Sequence, residues 1–245
     1  MFVLLIEKMK PIRLIKRAVV ALLLLPPFCF GQEPNRIEKS RIPAEAESIQ
    51  NFVPAGWKIE EQVTGDLNGD SVPDYAVKLV EDKPAKDSDD VANERQRALV
   101  IVLQPQGGKF TRAAVADRLL QCTRCGGSFY GVSESPANVK IEKGVIVVDQ
   151  DHGSRNLTNT YYRFRYDAGS RQFVLIGFDY ADADRATAQV ISESTNYLTG
   201  VRTVFRSKGN RDVKSSSKIS LKKTSIEQVD SEKFEEAAAK RLGLY

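Results

Sequence analysis

From Trp57 to Leu221 the apolar residues come in short runs rich in Val, Ile, Tyr and Phe, separated by clusters of Gly, Asn and Asp. Runs of that length between turn residues predict a mostly β domain built from antiparallel meander sheets, sandwich- or propeller-blade-like. The clearest strands are Tyr75–Val80, Ala98–Leu103, Val145–Val148, Tyr161–Tyr166 and Gln172–Phe178. In Tyr161–Tyr166, the side chains of Tyr162, Phe164 and Tyr166 fall on one face and Arg163 and Arg165 on the other, the period of a strand. Ala98–Leu103 is apolar throughout, which predicts a central strand covered on both faces. Val201–Phe205 and Lys218–Leu221 alternate and are expected at the sheet edge. A helical spacing at Ile42, Ala46, Ile49 and Val53 predicts a short helix over Pro43–Val53 ended by Pro54. Ser231–Leu242 predicts a terminal helix, with Asp230 or Ser231 as its cap and Gly243 as its stop. The polar stretch Pro84–Glu94 is expected to be a mobile loop.

The N-terminus breaks this pattern. Lys10, Arg13, Lys16 and Arg17 precede an apolar run of eight residues, Ala18–Leu25, and Pro26 and Pro27 then end it before Gly31. That run is too short to span a bilayer, so residues 1–31 are read as a cleaved signal peptide and 32–245 as one mostly β domain. Export to the periplasm or the outside follows, with no transmembrane segment. Acylation of Cys29 is the weaker alternative, because Phe28 and two prolines precede it.

Composition fits a soluble globular chain, with 42% apolar and 28% charged residues. The full sequence carries 36 basic and 32 acidic side chains. Removing residues 1–31 takes five basic groups and one acid, leaving 31 of each. A neutral mature chain removes the overall charge argument for nucleic-acid binding.

The segment Gly65-Asp66-Leu67-Asn68-Gly69-Asp70-Ser71-Val72-Pro73-Asp74 places side-chain oxygens at loop positions 1, 3, 5 and 9. Position 7, Val72, adds its backbone carbonyl. Such a set suits Ca²⁺, a hard cation that takes about six to eight oxygens. The alternative is an Asx-rich turn between strands. The loop lacks the flanking helices and final Glu of an EF-hand. It resembles the FG-GAP/VCBS repeats of secreted bacterial proteins and integrin-type propellers, whose blades carry D-x-[DN]-x-D-G-x-x-D calcium loops between strands. The resemblance implies a structural Ca²⁺ held by Asp66, Asn68, Asp70, Val72 and Asp74. It covers one loop without a second copy, and departs at Ser71, where the family has Gly. With Cys-x-x-Cys-Gly-Gly and Asn-Tyr-Leu-Thr-Gly, the chain also resembles a wider group of exported bacterial proteins, a likeness that assigns no activity.

Once residues 1–31 are removed, Cys122 and Cys125 remain, and an even pair in an oxidising compartment reads first as a disulfide. A redox dithiol is the second reading, though Gly126-Gly127 and the residues after them lack the helix that lowers a thioredoxin-type thiol pKa. Two Cys and His152 fall one ligand short of a structural zinc site. A hydrolase centred on His152 lacks a Gly-x-Ser-x-Gly or any other distinguishing nucleophile. Residues 202–223 hold eight basic groups and one acid, Asp212, and could contact an anionic surface. Only Phe205 is aromatic there, which disfavours nucleic acid. The reading that follows is an exported, non-enzymatic binding or envelope-associated module with a protein or polysaccharide partner.

Overall fold

The computed structural model describes residues 35–208 and 211–244. Residues 1–31, read above as a signal peptide, and Cys29 among them lie outside the described residues. Five strands form the first sheet: β1 (Glu45–Ala46), β2 (Trp57–Gly65), β3 (Asp74–Glu81), β4 (Arg97–Leu103) and β5 (Phe110–Ala116), in spatial order β1-β5-β4-β3-β2. Seven form the second: β6 (Ala137–Glu142), β7 (Val145–Gly153), β8 (Asn156–Asp167), β9 (Gln172–Asp184), β10 (Gln189–Asn196), β11 (Val201–Lys208) and β12 (Arg211–Lys218). These run as an antiparallel meander from β12 back to β6. Local turn chemistry sets that order. Lys143 and Gly144 both take positive φ, 51° and 76°, as a two-residue hairpin between right-twisted strands requires. Between β10 and β11, Asn196 Oδ1 accepts from the backbone N–H groups of Leu198 and Thr199, a side chain standing in for a backbone turn.

The main core lies between the sheets. Ala76, Leu99, Ile101, Ala114 and Ala116 of the first sheet meet Val139, Ile146, Val148, Tyr162, Phe164, Leu175 and Phe178 of the second. The other face of the first sheet carries Val77, Leu79, Ala98, Val100 and Val102, covered by Ile37, Ile42, Phe52 and Trp57. β4 is therefore buried on both faces, and Ala98, Leu99, Val100, Ile101 and Val102 are each 0% exposed. Its continuous apolar run follows from having no wet side.

Helix α1 (Ser231–Leu242) closes the core at one side of the second sheet. Asp230 caps it by accepting from Lys233 N, and Gly243 ends it at φ 73°. Phe234 packs edge-on against Tyr162 and Phe178, while Ala238, Ala239 and Leu242 complete the buried stripe.

Two expectations change. Pro43–Val53 is not an α-helix: Glu45 and Ala46 pair with Thr111 and Phe110 of β5, and only Ile49–Phe52 winds, as a 3₁₀ turn. The open edge of β5 offers backbone partners that a short helix forgoes, and Ile42 and Phe52 still reach the core. The edge strand is β12, not Val201–Phe205 or Lys218–Leu221: β11 lies inside it, paired with both β10 and β12. All eight residues of β12 are exposed, so pairing with β11 alone defines it. Pro84–Glu94 folds back on itself through a Lys86–Ala92 bridge, with Ala92 buried. No helix among the described residues is long and apolar enough to cross a membrane.

Candidate functional site

The acidic loop sits between β2 and β3. Asp66 Oδ1 accepts from Gly69 N at 2.7 Å and its Oδ2 from Ser71 N at 2.9 Å. Asn68 Oδ1 accepts from Asp70 N, and Asp70 Oδ1 from Val72 N. The curl needs positive φ at Gly69 (85°) and Ser71 (66°), so Ser71 adopts the backbone that glycine favours. Asp74 behaves differently. It is fully buried and accepts from Leu67 N and Gln104 N, both at 2.9 Å, which ties the loop to the chain leaving β4. Burial raises its carboxyl above the ordinary range, against the pull of those two N–H groups. Each oxygen keeps a lone pair beyond its hydrogen bond, so the donor chemistry suits a hard cation. The carboxylates do not converge, however, and among the described residues no group of three or more His, Cys, Asp or Glu is placed to hold a metal.

A second site joins motifs that are distant in sequence. Cys122 and Cys125 are disulfide-bonded, with Cα atoms 5.0 Å apart. Cys122 is buried and Cys125 is exposed. The glycines after them let this turn lie against the end of β7. Gly126 O accepts from Gly153 N at 3.0 Å, and a Cβ on Gly127 would stand 2.7 Å from Gly153 O. Beside Gly153, His152 Nε2 meets Glu235 Oε2 of α1 at 2.6 Å. That bond to Glu235 raises the imidazole pKa, with Asp151 and Asp182 adding to it and partial burial opposing. Asp151 also accepts the Tyr130 hydroxyl. The disulfide, His152 and Glu235 line one cavity of about 310 Å³ with Arg36, Arg118, Asp230 and Glu232. The sequence groups the cysteines with His152 only as an incomplete zinc set, without Glu235. The signal that joins them is Gly126-Gly127 facing His152-Gly153, glycines where two backbones touch.

The third feature lies where the end of β8 and the start of β9 meet the β10–β11 turn and the segment after β12. Leu198 and Leu221 are 51% and 64% exposed and share a groove of about 410 Å³ with Arg165, Tyr166, Lys222 and Lys223. Leu221 leans on Gly200, whose Cβ position would lie 3.2 Å from the leucine methyl. Lys218 and Lys222 are exposed close by in sequence, whereas Lys223 bonds Asp167 at 2.9 Å. Arg202 faces Thr195 and Glu193, and Arg206 donates to Leu242 O, so part of the basic segment is spent within the fold.

No known protein family, no curated protein and no solved structure matches this chain.

Proposed function

We propose that the chain is an exported, envelope-associated binding module that docks on an anionic lipid surface through Leu198, Leu221, Lys218, Lys222 and Arg165. The observation that carries this reading is the pair of half-exposed leucines sharing one groove, bordered by cations that the fold leaves at the surface. Inserting each leucine adds about 1–2 kcal/mol, and each cation near an anionic headgroup about 1 kcal/mol. Binding is thus reversible and weakens with salt. Co-sedimentation of residues 32–245 with phosphatidylglycerol-containing vesicles should exceed that with phosphatidylcholine alone. It should fall with salt, with Leu198→Ser/Leu221→Ser and with Lys218→Ser/Lys222→Ser. Absence of binding to anionic vesicles at low salt overturns the proposal, and heparin retention without vesicle binding replaces it with a polysaccharide partner.

A second proposal concerns the loop at 66–74: one structural Ca²⁺ with Asp66, Asn68, Asp70, Val72 and Asp74 as ligands, which requires the carboxylates, apart in this structure, to turn toward the ion as it binds. Ser71 at φ 66° supports it, since the residue adopts the backbone favoured by the Gly that the resembled motif has at this position. No catalytic residue is assigned. His152 is engaged by Glu235, which leaves the hydrolase alternative without a nucleophile paired to the imidazole.

A further inference from the structure

We propose that Cys122–Cys125 is an exchangeable disulfide, attacked at Cys125 by small monothiols and released through Cys122. This goes beyond the surface-docking reading and is independent of it.

Two observations carry the inference. The first is access. The two cysteines both line the 310 Å³ cavity but are unequal: Cys122 is 2% exposed, while Cys125 is exposed. An incoming thiolate therefore meets the more exposed residue, Cys125, first, which favours attack there and release of Cys122. The second is that other bonds hold the turn. Thr123, between the cysteines and fully buried, donates its N–H to Arg95 O and its hydroxyl to Asn93 O. Its Oγ1 accepts from Arg95 N, and its carbonyl accepts from Ser135 N at 2.8 Å. Ser135 Oγ donates to Cys122 O, and Gly126 O is held by Gly153 N. Opening the S–S bond removes none of these contacts, so the turn keeps its place when reduced.

The chemistry balances with a monothiol as reductant. A thiolate RS⁻ attacks Cys125 Sγ, the Sγ–Sγ bond breaks, and Cys122 leaves as a thiolate while Cys125 carries the mixed disulfide. A second RS⁻ attacks the RS sulfur of that adduct, releasing RSSR and the Cys125 thiolate. Two thiols have then given two electrons to the protein disulfide, and two protons return to the cysteines. Arg36, Arg118 and His152 line the cavity beside the disulfide, together with Asp230, Glu232 and Glu235; Arg118 engages Asp230 and His152 engages Glu235. Only a 3₁₀ turn, Gly127–Phe129, follows the cysteines, so no α-helix dipole acts on them.

The test is equilibration of folded residues 32–245 with millimolar glutathione, followed by acid quench, maleimide alkylation and mass spectrometry. Both cysteines are expected to become alkylated while far-UV circular dichroism stays unchanged. Incubated instead with glutathione disulfide, Cys122→Ser should accumulate a glutathione adduct on Cys125, with release of one glutathione thiolate. Cys125→Ser should show loss of that adduct, because Cys122 is shielded. Alkylation only after unfolding in denaturant, or equal adduct formation in the two variants, overturns the proposal.

Discussion

Arg97 shows how much of this fold rests on buried charge. At 3% exposure its guanidinium forms a two-pronged pair with Glu60, Nε to Oε2 at 2.8 Å and an Nη to Oε1 at 2.7 Å. The other Nη donates to Gln121 O and Ser135 O, the residues flanking the disulfide turn. Arg97→Leu leaves Glu60 and two carbonyls without that partner, and removing one member of a buried pair costs about 3–5 kcal/mol. Urea unfolding should show the midpoint falling by that equivalent. A loss below about 1 kcal/mol, the range of exposed pairs, would mean that water replaces the guanidinium. Such residues also limit what a sequence discloses. Arg97, Lys78 and Glu193 are buried, yet a polarity pattern places all three at the surface. β10 was unreadable for this reason: its inward positions include Glu193 and Thr195, each 1% exposed, with Glu193 bonded to Arg241.

Elements were legible where burial and periodicity agree. β4 has two buried faces and a continuous apolar run. β8 alternates because one face meets the core and the other carries Arg163 and Arg165. Pro43–Val53 and β12 were misread because backbone pairing, not side-chain pattern, decides them. The loop at 66–74 was visible as a motif, but its sequence spacing could not show that Asp74 is drawn inward to Leu67 and Gln104. If the loop binds Ca²⁺ as proposed, neutralising its carboxylates pins the β2–β3 connection. Calorimetric titration of residues 32–245 should reveal one saturable site, lost in Asp66→Ala/Asp70→Ala. At ten times Kd the ion adds about 1.4 kcal/mol to stability. No heat at millimolar calcium would reduce the loop to a self-bonded turn, and the calcium assignment would be withdrawn.

At the scale of the whole molecule, α1 is fastened to the sheets by charge as well as by Phe234 and the buried alanines. Arg118 holds Asp230 at its start, His152 holds Glu235 in its second turn, and Arg241 holds Glu193 at its end. The histidine contact alone titrates near neutrality, because arginines stay charged. Its surroundings are Glu235 on α1, Asp151 on its own strand and Asp182 on β9, all of which favour the imidazolium, while partial burial opposes it. The folded pKa is raised, so the native state binds the proton more tightly than the unfolded chain does. The stabilisation is fully present below the unfolded value of about 6.5 and is lost as pH rises through the higher folded value. The wild-type advantage in Tm over His152→Gln should therefore be largest near about pH 6 and shrink toward about pH 9. In a Glu235→Gln background that dependence should largely vanish, since the main cause of the shift has been removed. A Tm difference that stays constant across this range would mean that His152 holds α1 through packing and a neutral hydrogen bond, with no proton taken up on folding.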